Sequence, residues 1–150
     1  MTATEDICAI FSILHDGDIV AWDEDVQLLT LTIECAYLAR CIDSTFELFY
    51  IEIIDFDQLS LSTWPNPFHL ERQLLTAPKD IFKAKLEILS ADINNEEVVI
   101  TCNQHDTRFD FCGGHLTLIG KAIKVFDQNR SELTINQLAL IAENYWKRGV

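Results

Sequence analysis

A chain of 150 residues, 49% hydrophobic and 23% charged, has the size and make-up of one globular domain. Eleven Lys and Arg stand against 24 Asp and Glu, a formal charge of −13, and such a surface repels nucleic acid and anionic lipid while attracting a basic partner. The opening MTATEDICAIFSIL bears acids where an export signal bears Lys or Arg, and no apolar run approaches the roughly 18 residues of a membrane span, so neither an export signal nor a spanning helix is expected.

Residues 2–6 are polar and read as loose, and 7–14 are mostly apolar, open between a short strand and a helical turn because so few residues fit either period. His15-Asp16-Gly17-Asp18 breaks the pattern. A first strand then runs from Ile19 to Trp22, Asp23-Glu24-Asp25 reads as an exposed acidic turn, and 26–35 is a half-buried strand. In it Leu29, Leu31, Ile33 and Cys35 face one way, with Leu28, Thr30, Thr32 and Glu34 opposite. A one-residue slip would bury Glu34, so the register is firm.

Residues 36–44 form a connection with room for one helical turn. The segment 46–54 is apolar on both faces (Phe49, Ile51 and Ile53 against Leu48, Tyr50 and Ile54), the mark of a central strand. A turn at 55–57 leads to a short strand, 59–64, which Pro65 and Pro67 end because neither can donate to a ladder. The segment 68–85 has the least pattern, with a short helix expected at 80–85 and either mobility or a partner contact favoured there.

Strand 86–93, a turn at Asn94-Asn95, a strand through 98–103, a turn at 104–107 and an alternating stretch at 108–112 follow. Gly113-Gly114 reads as a turn, and 115–126 as one strand bent by a bulge at Gly120. After a loop at 127–131, Thr134 and Gln137 have capping-box spacing and open a helix to about residue 147. Its face of Ile135, Leu138, Ala139, Ala142, Tyr145 and Trp146 is expected on the sheet, with Leu140 on the polar side. Lys147 and Arg148 suit its C-terminal dipole, and Gly149 is placed to stop it.

Five cysteines, an odd number without a CxxC pair, fit reduced thiols in a cytoplasmic protein better than a disulfide framework. His15, Asp16 and Asp18 combine an imidazole with two carboxylates, the groups of a divalent-metal site or an acid–base pair. Against this, neighbours along an extended chain point to opposite faces, and Asp commonly accepts backbone hydrogen bonds in turns. His105, Asp106 and His115 converge with His15 only if the fold brings them together, and no HExxH or paired-ligand spacing supports a metal. Cys112, three positions before His115, reads as a buried strand residue rather than a nucleophile. No P-loop, GxGxxG or GxSxG is present, so no cofactor is implied, and the scattered bases do not track a nucleic-acid backbone. Trp22, Trp64 and Trp146 are core pieces or the floor of a ligand pocket.

Two local patterns are familiar: Leu14-His15-Asp16-Gly17-Asp18-Ile19 opening a Thr-rich hairpin, and Gly114-His115-Leu116 followed by Val125-Phe126-Asp127 and a helix ending in Tyr145-Trp146. In these the chain resembles a diffuse set of small, uncharacterised bacterial β-rich proteins with a His-Asp-Gly opening to a hairpin, some of them immunity proteins that neutralise toxins. The resemblance runs through most of the chain, with Leu14 in place of the usual Phe, and carries no catalytic residues. It implies an interaction role.

Together these readings predict a single mainly β (α+β) domain: an antiparallel β-sandwich or partly open barrel of about eight strands with a C-terminal α-helix. The expected function is an acidic cytoplasmic binding protein, an immunity-type inhibitor of a basic protein, steering its partner with Asp23, Glu24 and Asp25. The alternatives are a metal-binding or hydrolytic enzyme centred on His15, Asp16 and Asp18, and a small-ligand-binding β-barrel.

Overall fold

The computed structural model describes residues 2–148. In chain order the elements are α1 (Ala3–Ile13), β1 (Asp18–Asp25), β2 (Leu28–Glu34), α2 (Ala36–Ala39), β3 (Leu48–Ile54), β4 (Asp57–Pro65), β5 (Leu74–Leu75), α3 (Pro78–Ile81), β6 (Leu86–Asn94), β7 (Glu97–Asn103), β8 (Phe111–Ile119), β9 (Ala122–Phe126), β10 (Glu132–Leu133) and α4 (Ile135–Arg148). The strands form one open antiparallel sheet in the order β10-β9-β3-β2-β1-β6-β7-β8-β4-β5. Eight of them span five residues or more, as the sequence predicts; β5 and β10 are two-residue additions.

The sheet cannot be flat. β3 passes to β4 through Asp55 and Phe56, and β8 to β9 through Gly120 and Lys121, yet each pair stands far apart in the strand order. Strands lie about 4.8 Å apart, and such a link reaches only about 10 Å, so the two halves bend until those ends meet. Lys121 N donates to Ile54 O at 2.9 Å, and Asp57 pairs with Ile119, fastening this corner. At the other seam β1 and β6 share only Asp18–Glu87 and Ile19–Leu86.

Helix α1 packs against β6 and β7 of one half and β9 of the other. Its Ile7, Ile10, Phe11 and Leu14 are fully buried, the i, i+3, i+4, i+7 stripe of an amphipathic helix. Thr2 caps it, its hydroxyl accepting from Glu5 N at 3.1 Å. Residues 2–6 are therefore a capped first turn rather than a loose end, and the open choice over 7–14 resolves as helix. Leu29, Leu31 and Ile33 of β2 and Phe49, Ile51 and Ile53 of β3 face this helix-filled interior, all fully buried, in the register the alternation predicts.

Several expectations are corrected. Gly113-Gly114 is not a turn but lies inside β8, paired with Asn103 and Cys102 of β7. A Cβ at Gly113 would press on the Cys102 carbonyl and the Trp64 ring, and one at Gly114 on the Ser62 carbonyl. The glycines thus serve close strand approach. The run 115–126 is two strands in different halves of the sheet, divided at Gly120, which sits against Ile53 and Ile7 where the chain crosses. The stretch 108–110 belongs to the loop before β8. The short helix near 80–85 starts earlier, at Pro78, whose fixed φ suits a first helical turn.

Thr134 and Gln137 form the expected capping box, with Gln137 N donating to Thr134 Oγ1 at 3.0 Å and Thr134 N to Gln137 Oε1 at 2.8 Å. Helix α4 packs on α1 and α2 rather than on the sheet, because α1 already covers the strands. Ile141 joins its inward stripe, whereas Ala139 and Leu140 are exposed. Gly149, the expected stop, and the Arg148 side chain lie outside the described residues. Among the described residues no helix is long and apolar enough to cross a membrane.

Candidate functional site

The His15-Asp16-Gly17-Asp18 stretch is the joint between α1 and the sheet. Asp16 adopts φ 67°, its N–H donates to Ile88 O at 2.7 Å, and Ile88 N returns a bond to Gly17 O at 2.8 Å. Gly17 N donates to Leu14 O, and a Cβ on Gly17 would stand 2.9 Å from that oxygen and 3.0 Å from Ile33 Cγ2, so the position needs glycine.

The three candidate side chains diverge. His15 donates from Nδ1 to Ser12 O at 2.8 Å, and its ring stacks on Trp146 with centroids 5.6 Å apart. Tyr37 Oη donates to His15 O at 2.6 Å, and Tyr37 packs on Tyr145 at 4.9 Å, so the imidazole belongs to an aromatic cluster tying α1, α2 and α4 together. Asp16 faces solvent. Asp18 lies half-buried between Glu34 on β2 and Glu87 on β6. Burial pushes its carboxyl up from the ordinary value; Lys85 opposes this, and Glu87 and Glu34 add to it.

The remaining histidines do not join them. His105 Nε2 meets Glu87 Oε1 at 2.9 Å, and that bond holds the Glu87 carboxyl below its ordinary value. His115 stands edge-on to Trp64 at 5.4 Å. Among the described residues no three His, Cys, Asp or Glu side chains gather as metal ligands. Cys112 is exposed rather than buried, its Sγ turned to Trp64 O at 3.7 Å. Cys35 and Cys102 are the buried thiols, which burial pushes up to about 11 and about 12.

The acidic triplet is not a turn. Pairing with Leu28, Leu29 and Thr30 extends β1 through Asp25, and the reversal falls at Val26 and Gln27, with φ 31° and 59°. Positive φ at both central residues gives a turn whose twist matches the strands, which decides the register over residue preference. Asp23 and Asp25 lie opposite Thr30 and Leu28 on the outer face, while Trp22 and Glu24 lie opposite Leu31 and Leu29 on the inner one. All three acids are exposed. A register shift after Ile19 turns β1 away from β6, so among the described residues Ala21–Asp25 have no backbone partner on that side. Trp22, 37% exposed, rests on Phe82 at 6.3 Å beside this free edge.

What the fold and site define is an α+β protein whose bent open sheet is filled by a helix and offers one acidic strand edge. Comparison with protein-family models, with curated proteins and with solved structures found no match.

Proposed function

We propose that this chain is a binding protein that takes a basic protein partner on the outer half of β1, as an immunity-type inhibitor does, and works in the cytoplasm. The observation that carries the reading is the exposure of Asp23, Glu24 and Asp25 along the side of β1 that, among the described residues, has no backbone neighbour. A free edge supplies N–H and C=O groups to an incoming strand or loop. Its carboxylates repel a second copy of the same edge and select a partner bearing Lys and Arg. The net charge of −13 extends that preference over the whole approach and speeds encounter at low salt. Inhibition is by occlusion and requires no catalytic group; His15, Asp16 and Asp18, pointing apart, offer none.

Biolayer interferometry against a panel of basic proteins at low and high salt tests this, with Asp23→Lys, Glu24→Lys and Asp25→Lys combined in one variant. The expected result is an association rate that falls steeply with salt and a variant that no longer binds. Binding indifferent to both salt and charge reversal would reject the reading.

A further inference from the structure

Where β1 and β6 part, a cleft of about 490 Å³ opens between the Ile19–Val20 bulge, residues 82–85 and the loop 104–108. Its volume lies in the range of small-molecule sites. One wall is apolar, made by Ile19, Val20 and Phe82. The other carries Lys83, Lys85, His105 and Arg108, in a chain that has 11 Lys and Arg in all. Asp106 is the one carboxylate among the lining residues, so Lys83, Lys85 and Arg108 outnumber it on this wall, with Asp18 and Glu87 within electrostatic reach of Lys85.

The basic wall is built, not incidental. Gln104 is buried, its Nε2 donating to Asp106 O at 3.0 Å and to Phe111 O at 2.8 Å while its Oε1 accepts from Asp106 N. A buried amide thus spends its bonds on the shape of an exposed loop. Asp106 in turn grips Arg108, accepting from Arg108 Nε and from Nη2 at 2.6 Å. His105 is held by Glu87. Among the described residues Lys83 and Lys85 have no carboxylate at ion-pair distance. Lys83 Nζ lies instead above the Phe109 and Phe111 rings, 5.7 and 5.9 Å from their centroids.

We propose that this cleft binds a small phosphate monoester with an apolar body, the phosphate on Lys83 and Lys85 and the body on Phe82 and Val20. The two ammonium groups, neither of them in an ion pair among the described residues, match the double charge of a phosphate monoester, and Lys serves phosphate as a point charge. A carboxylate is the poorer fit, because the one Arg fork in the cleft is already closed on Asp106. A polyanion is excluded by the acidic surface around the cleft, whereas an anion small enough to sit inside lies within the short reach of the lysines, roughly 8–10 Å in physiological salt.

Phenyl phosphate is the probe, titrated into the 15N-labelled protein and followed by amide shifts, with inorganic phosphate, benzoate and phenol as parallel arms. Saturating shifts at millimolar phenyl phosphate, centred on residues 19–20, 82–85 and 104–108, are expected, with weaker binding of phosphate alone and of benzoate. Lys83→Ala with Lys85→Ala is expected to weaken phenyl phosphate about tenfold or more with an unchanged melting temperature, since both side chains are exposed. Phe82→Ala is expected to weaken phenyl phosphate and leave inorganic phosphate unaffected. Absence of saturation, shifts centred elsewhere, benzoate binding as tightly as phenyl phosphate, or full affinity in the double-lysine variant would each overturn the assignment.

Discussion

The two long hairpins, β1–β2 and β6–β7, are built alike and finished differently. Each has a one-residue register shift near its foot, after Ile19 in one and Ile88 in the other. Each turns through left-handed residues, Val26 and Gln27 in the first and Asn95 in the second. Beyond the two pairs that join them, both β1 and β6 lose their shared neighbour. Over β6 lies α1, with Ser12 Oγ reaching Ala91 O on the strand and Thr4 Oγ1 reaching Glu96 O in the turn beyond it, while Asp92–Asn94 stay exposed. On β1 nothing covers Ala21–Asp25 among the described residues; Asp23, Glu24 and Asp25 stand there instead. A strand edge is protected from unwanted pairing by a lid or by charge, and this protein uses one device on each hairpin. The charged edge leaves the backbone of Ala21–Asp25 open to a partner.

The largest effect should come from removing the lid. Phe11→Ala empties a fully buried site under α1 and is expected to cost about 3–5 kcal/mol in urea unfolding, together with aggregation as β6 is uncovered. A smaller loss would mean that α1 is not what seals that hairpin. Replacing Asp23, Glu24 and Asp25 together with Asn, Gln and Asn should change stability by less than about 0.5 kcal/mol, because exposed residues carry little of it. The same variant should self-associate in sedimentation velocity, and a strictly monomeric variant would show that charge is not the guard.

The subtlest readout concerns the foot shared by both hairpins, where Glu34, Asp18 and Glu87 lie side by side across β2, β1 and β6. Like charges directly opposite destabilise a sheet, so Asp18→Asn should stabilise the protein at neutral pH by about 0.2–1 kcal/mol. The sign follows from the raised Asp18 carboxyl. The folded state holds that proton more tightly than the unfolded one, so the wild type is penalised above the folded value and relieved as pH falls below it. The advantage of Asn should therefore fade on acidification, and an advantage constant with pH would point to packing instead.

The core was legible wherever two-residue alternation is long. Leu29, Leu31 and Ile33, and Phe49, Ile51 and Ile53, are inward as the pattern predicts because a strand allows no other assignment. The capping box at Thr134 was equally plain. Helix α1 was readable in principle: Ile7, Ile10, Phe11 and Leu14 have helical spacing, and Thr2 stands three residues before Glu5. The stretch 7–14 carries too few turns to fix a period alone, and its cap lies five residues upstream at Thr2. Gly113-Gly114 misled because a glycine pair most often marks a turn, whereas here the reason for the missing side chains lies on β4 and β7, far off in sequence. The divergence of His15, Asp16 and Asp18 was legible from the alternation of neighbours, but its cause was not: a helix end and a left-handed residue, rather than a strand, part the side chains. The cleft lay beyond sequence reading altogether: Lys83, Lys85 and Arg108 meet only because β6 leaves β1, and no local pattern announces that parting.

The place of α1 also sets an order of events during synthesis. The helix emerges before the strands, and β9 and α4, two of the surfaces that receive it, follow about a hundred residues later. A nascent chain halted before β9 carries the stripe of Ile7, Ile10, Phe11 and Leu14 without its full set of neighbours. Contacts this distant along the chain slow folding, so the closing step waits on the synthesis of β9 and α4.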